Sequence, residues 1–272
     1  MRAGRAGRDA AVLTALLLYA APLFWQVLTS FKTEAELLRV PPFLPSHPTL
    51  EHYRVVLEQS PLPRALGNSL GIAGLTTLLA LTLGAPAAYA LARLPVPGRR
   101  LWLLGIVAST AFPAITTVSP LYLLLRAAGL RDTWMALVLA HTSLALPLTI
   151  WLLAGFFREV PAGLEEAAAV DGAGRLATLR WVVAPLAAPG LASAGLLAFL
   201  ASWNEFLFAY TFTATERSRT VPVALALFAG VFEVPWGDIA AAAVLAGLPP
   251  ILIVVGLQRY LVQGLVAGAV KD

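Results

Sequence analysis

Cysteine is absent from this 272-residue chain. Its absence excludes disulfides, thiolate metal sites and cysteine nucleophiles, and leaves the compartment open. Charge is scarce too. Only 12% of residues are Asp, Glu, Lys or Arg, against roughly a quarter in soluble domains. The 3 histidines have no H-x-x-x-H spacing, so no zinc site is expected. No G-x-x-x-x-G-K-[ST] string occurs, which excludes a P-loop nucleotide site. Apolar sequence fills the space: 59% of residues are hydrophobic, in long runs. The net charge of +4 comes from basic residues scattered at the ends of those runs. That pattern fits the positive-inside bias of a membrane protein better than a nucleic-acid-binding surface.

Six runs are long enough to cross a bilayer, at about 20 apolar residues per helix. They cover approximately residues 10–30, 68–91, 101–125, 134–157, 186–211 and 239–261. The expected fold is all-α: one polytopic transmembrane domain over 1–272, with six transmembrane helices. Arg2, Arg5 and Arg8 before the first run resemble a signal peptide. However, the run continues for about 20 residues without a small-x-small cleavage site, so a retained span is expected. With the N-terminus inside, the inner segments carry 11 of the 19 Lys and Arg residues and the outer segments 8. This modest asymmetry places both termini and the 158–185 segment in the cytoplasm.

Two outer segments are long. The segment 32–67 is proline-rich and contains LEHYRVVLEQS, which reads as a short amphipathic surface helix. The segment 214–238 contains VPVALALFAG, too short to span. Small residues recur within the spans, among them Gly71, Gly84, Gly190 and Gly195, and allow helices to approach closely. Prolines at 86, 113, 120, 147, 189, 249 and 250 interrupt them and favour kinks.

The most polar stretch between spans is REVPAGLEEAAAVDGAGRLATLR, from Arg158 to Arg180. Pro161 suits a first helical turn. Glu165 and Glu166 sit where a helix dipole favours negative charge. Ala167, Ala168 and Ala169 are strong helix formers, and Gly172 and Gly174 end the helix. A second helix is expected from about Arg175 through Trp181 towards Pro185. Connections between helices in bundles are usually short, so ordered structure here suggests contact with an aqueous partner. The plainer reading is a connecting loop that happens to be helical.

These residues resemble a known motif. Glu166-Ala167-Ala168, three residues, Gly172, nine residues, Val182 and then Pro185 is similar to the EAA loop of ABC importer permeases, with Ala184 where that pattern has Leu. EEAAAVDGAG, PLYLLLRAAGLRDTW, LPLTIWLLAGFFREVP, SWNEFLFAY and the C-terminal QRYLVQGLVAGAVKD resemble the carbohydrate-uptake branch, the maltose and multiple-sugar type. Asn68-Ser69-Leu70 and AAYALAR agree with it. The resemblance runs from about Asn68 to the C-terminus.

It implies one of two permease subunits in a bacterial or archaeal cytoplasmic membrane. Two ABC ATPase subunits would sit beneath, and a binding protein would deliver a sugar. This chain would bind no cofactor; ATP and Mg would belong to the ATPase. The first helix of the loop would be the coupling helix. Glu165, Glu166, Ala167, Ala168, Asp171, Gly172 and Pro185 would form the ATPase-coupling set, and the tail Val270-Lys271-Asp272 could add a contact.

Ionisable groups within a span are functional candidates by default. His141 lies in the fourth span, and Asn204 and Glu205 in the fifth. Both sites are about seven residues from the outer end, or ~10 Å deep. They are expected to face one water-filled cavity. Trp203, Phe206, Phe208 and Tyr210 would offer ring faces to a sugar, and Asn204 and Glu205 would bond its hydroxyls. The plainer alternative is structural pairing and interfacial aromatics. A polyol or glycerol phosphate could replace the sugar. A secondary transporter would show inverted repeats. An intramembrane enzyme would need paired acids or a Ser–His pair at matched depth. A scaffold without a transport path is the remaining alternative.

Overall fold

A computed structural model describes residues 2–39, 42–228 and 234–269. Every regular element among them is helical, in agreement with the all-α expectation. The order is α1 (Arg2–Thr29), α2 (Glu34–Leu37), α3 (Glu51–Gln59), α4 (Leu62–Arg93), α5 (Arg99–Ser109), α6 (Ala114–Ala127), α7 (Trp134–Glu159) and α8 (Ala162–Val170). Then come α9 (Arg175–Thr178), a π-helical turn (Leu179–Val183), α10 (Ala184–Leu186), α11 (Ala188–Trp203), α12 (Leu207–Phe212), α13 (Val221–Ala226) and α14 (Trp236–Ala269).

Four helices are long and apolar enough to cross a membrane unaided: Ala11–Thr29 within α1, α4, α7, and Trp236–Tyr260 within α14. Two bent pairs raise the count to six if each is one span. The third expected span, 101–125, is therefore not one helix. Its parts α5 and α6 meet at 90°, because Pro113 supplies no N–H and holds an extended ψ of 126° at the start of α6. The fifth, 186–211, is also broken. Arg175–Leu186 turns 87° into α11, and the chain leaves the helix again between Trp203 and Leu207. Pro185 and Pro189 flank the first bend and withhold two backbone donors.

The packing divides into two compact units. One joins the chain up to Pro63 with Ala224–Leu248; the other joins Arg64–Val223 with the chain from Pro249. In the first unit, the expected surface helix is α3, which buries His52 and Val56. His52 bridges the Lys32 carbonyl oxygen at 2.8 Å and the Asp238 carboxylate at 2.6 Å. Lys32 is fully buried, with Nζ 3.8 Å from the Trp25 ring centroid.

The second unit contains the larger core. Ala88, Tyr89, Leu153, Phe157, Val183 and Ala194 form one cluster, and Ile72, Leu137, Ala140, Phe208 and Phe212 another. Small residues make these contacts possible. A Cβ on Gly190 would lie 2.4 Å from the Phe156 ring, and one on Gly71 would lie 2.2 Å from the Trp134 ring. The short helix α13 starts at the end of this unit, with Val221 and Val223 buried.

Candidate functional site

Helix α8 begins after Pro161, whose extended backbone turns the chain out of α7. At its other end, the N–H of Gly172 donates to Ala169 O at 3.1 Å, and the N–H of Ala173 to Ala168 O at 2.9 Å. This pair of bonds is a Schellman closure. It requires the left-handed φ of +83° found at Gly172, a conformation that favours glycine. The chain then re-enters a helix at Arg175. Because Pro185 has no N–H, the ladder slips by one residue. Ala184 donates to Leu179 O, five residues back, and the π turn results.

Glu165 fixes the position of α8. Its Oε2 accepts a 2.8 Å hydrogen bond from the Tyr89 hydroxyl. Its Oε1 lies 2.8 Å from Arg93 Nε, close in charge but off the N–H axis. The same guanidinium donates to the Val160 carbonyl. Thus the end of α4 holds both the exit from α7 and the first turn of α8. Glu165 is turned inward and mostly covered, so it positions the helix instead of presenting a charge outward. The other expected residues divide cleanly. Glu166, Ala167, Asp171, Gly172 and Pro185 are exposed, and Ala168 is half-buried. Large apolar side chains are exposed beside them: Val170 at 88%, and Leu176 and Trp181 at 70% each. The tail 270–272 lies outside the described residues.

The intramembrane candidates also come together. His141 and Ser202 are buried. His141 Nδ1 is 2.7 Å from Ser202 Oγ, and Nε2 is 3.1 Å from Glu205 Oε2. Ser202 Oγ in turn lies 3.5 Å from Thr76 Oγ1 on α4. Glu205 accepts the N–H groups of Phe208 at 2.9 Å and Ala209 at 3.0 Å. It therefore caps α12 where the ladder from α11 has broken.

The expectation of open ring faces holds only in part. Trp203 is buried and stacked on Phe199, and Phe208 is buried. Phe206 and Tyr210 stack on each other and are the exposed pair. Asn204 is exposed, with its amide donating to Leu200 O at 2.9 Å.

Sequence reasoning missed two clamps. Asn68 donates to the carbonyls of Glu216 and Arg219 and accepts from Trp134 Nε1. Asp132, at φ +58°, accepts from Ser218 Oγ, Thr215 Oγ1 and the N–H groups of Ala214 and Thr215. Burial opposes ionisation of this carboxyl, but the Ser218, Thr215 and backbone hydrogen bonds outweigh it and hold its pKa at about 2. The available signal was a polar residue at each span boundary, without any indication of its partner.

The chain belongs to the family described as binding-protein-dependent transport system inner membrane component, whose model matches residues 80–266. Both the α8 loop and the His141–Glu205 cluster fall within that match. The trehalose transport system permease protein SugB of Mycobacterium tuberculosis is 44% identical over the full length of both chains. The sulfoquinovosyl glycerol transport system permease protein SmoH of Agrobacterium fabrum is 42% identical over 92% of this chain and 88% of its own. Among solved structures, a chain of a bacterial ABC transporter that imports the acidic polysaccharide alginate superimposes with a TM-score of 0.83. It is 25% identical and covers 96% of this chain and 98% of that one.

Proposed function

We propose that this chain is one permease subunit of an ATP-driven importer for a carbohydrate or glycoside. It works in a cytoplasmic membrane with both termini inside, as a single transmembrane domain with six crossings. A second permease subunit completes the path, a pair of ABC ATPase subunits lies beneath, and a binding protein delivers the solute. The relatives named above support the solute class. ATP and Mg belong to the ATPase; this chain is not itself an enzyme.

The observation that carries the coupling role is the construction of α8. A nine-residue helix outside the long apolar helices is held from behind by Tyr89 and Arg93, and it leaves Glu166, Ala167, Val170 and Asp171 uncovered. An 88% exposed valine at its C-terminal end fits a surface that another protein covers. Closure of the ATPase dimer would push this helix. The push shifts the bundle only if α8 binds the ATPase differently in the two states. Asn204, Phe206 and Tyr210 are the exposed groups beside the α11–α12 break and the ones placed to meet a hydroxylated solute. In this reading His141, Trp203 and Glu205 shape that break from behind.

The test is Gly172→Asp in the reconstituted complex. The change puts a charged side chain at the turn; no atom lies within 4 Å of a Cβ there, but the φ of +83° strains any side chain, so Gly172→Ala, which carries the strain without the charge, is the control. Complexes that assemble but lose coupled ATP hydrolysis and uptake support the role. Undiminished coupling would reduce the loop to a connector.

A further inference from the structure

A second surface of the same unit has a different chemistry. Between α5 and α7 runs a groove of about 260 Å³. Its walls are apolar, formed by Leu103, Trp151, Leu152 and Phe156, and Arg158 and Glu159 stand at one end. Trp151 is about half exposed. Gly155 opens the floor, since a Cβ there would meet nothing within 4 Å. Arg99 and Arg100 precede Leu103 by four and three residues, which places them on the same helical face one turn closer to the charged end. All three arginines are exposed, and Arg158 makes no ion pair among the described residues. Of the groove's own lining only Arg158 and Glu159 are charged; the spacing of Arg99 and Arg100 from Leu103 brings two further guanidinium groups towards that end, and α5 carries no acid to offset them. From Arg158 back to Trp151 is seven residues, or ~10 Å along the helix.

We propose that this groove is a binding site for an anionic phospholipid, with one acyl chain laid along Trp151, Leu152, Gly155 and Phe156 and the phosphate met by Arg158, Arg99 and Arg100. Charge and depth both select this occupant. An apolar trough that ends in unpaired arginines fits a molecule whose tail is hydrocarbon and whose head is an anion, and basic pockets between spans bind such headgroups. A guanidinium also matches a phosphate in geometry better than an ammonium does. The inference rests on α7 crossing the membrane. The proposed orientation enters only in assigning the lipid to the cytoplasmic leaflet.

The experiment is quenching of tryptophan fluorescence by lipids brominated on the acyl chain. The full chain is placed in vesicles with the same lipids in both leaflets, so a wrong orientation cannot mimic a failed site. Brominated phosphatidylglycerol is compared with brominated phosphatidylcholine at equal mole fraction, and the Trp151 signal is isolated by difference from Trp151→Phe. The expected result is that phosphatidylglycerol quenches Trp151 preferentially. Arg158→Gln should lower that preference about fivefold, the effect of one basic residue near an anionic surface. Gly155→Leu, whose Cβ would meet nothing within 4 Å and whose branched end would occupy the groove, should reduce quenching by both lipids. Equal quenching by the two lipids, or a preference that both variants leave unchanged, overturns the proposal. So does a Trp151 that neither lipid reaches, which would mean that protein covers the groove.

Discussion

The loop around α8 and the break between α11 and α12 each place an acid in an otherwise apolar chain, and they use it differently. At the break, the acid is taken up internally. Glu205 caps α12 and holds His141, and His141 holds Ser202. At the loop, one acid is consumed and its neighbour is not. Glu165 is bound by Tyr89 and Arg93, while Glu166 is left exposed with Ala167, Val170 and Asp171. A polar network that satisfies itself stabilises a shape. One that holds a helix only from behind leaves the opposite face for a partner.

The largest loss is expected at Glu205. Glu205→Ala strands a buried histidine and two N–H groups and should cost roughly 3 kcal/mol, read as a large fall in the thermal midpoint of the purified chain. Glu205→Gln keeps an acceptor for α12 and should recover part of it. Next is Arg93→Ala, which leaves Glu165 half-partnered and should cost about 2 kcal/mol. It should also uncouple ATP hydrolysis although the exposed face of α8 is untouched. Coupling retained at full stability would show that the hold from α4 is irrelevant.

A smaller effect is expected from acid. The carboxyl of Asp132 is held at about 2 in the fold, below its ordinary value near 3.9. Its contribution is complete above the ordinary value and lost as pH falls through the folded one. Asp132→Asn should therefore remove about 1 kcal/mol, allowing for solvent screening, at neutral pH and almost nothing near pH 2. The smallest is Asn204→Ala. Its side chain makes one bond at an exposed position, so stability should change by less than about 0.5 kcal/mol. Loss of uptake at limiting solute with stability intact would then place Asn204 at the solute.

Much of this was legible in the chain because it depends on local chemistry. The helix–glycine–helix form of the loop follows from Pro161, the alanine run and Gly172, and the structure closes α8 at Gly172. His141 and Glu205 stood out because ionisable groups in apolar runs are rare, and they meet. What remained hidden depends on direction and distance. Glu165 and Glu166 are identical in sequence terms, and only the position of Arg93, 72 residues away, decides which one faces inward. Hydropathy gave 101–125 and 186–211 as continuous runs, since it does not register the backbone donors that proline removes. The bends at Pro113 and between Pro185 and Pro189 are set by those missing bonds.

The most direct test of the account uses the absence of cysteine from this chain. Val170→Cys introduces a single thiol on the exposed end of α8, and Thr215→Cys introduces one in the loop after α12 as a control. In the assembled complex, a short bifunctional thiol–amine reagent should join the Val170→Cys chain to the ATPase subunit, with a yield that changes when ATP is trapped. The control should give no such product. An ATPase adduct from Thr215→Cys, or none from Val170→Cys in complexes that still couple hydrolysis to uptake, would contradict the assignment of α8 as the motor contact.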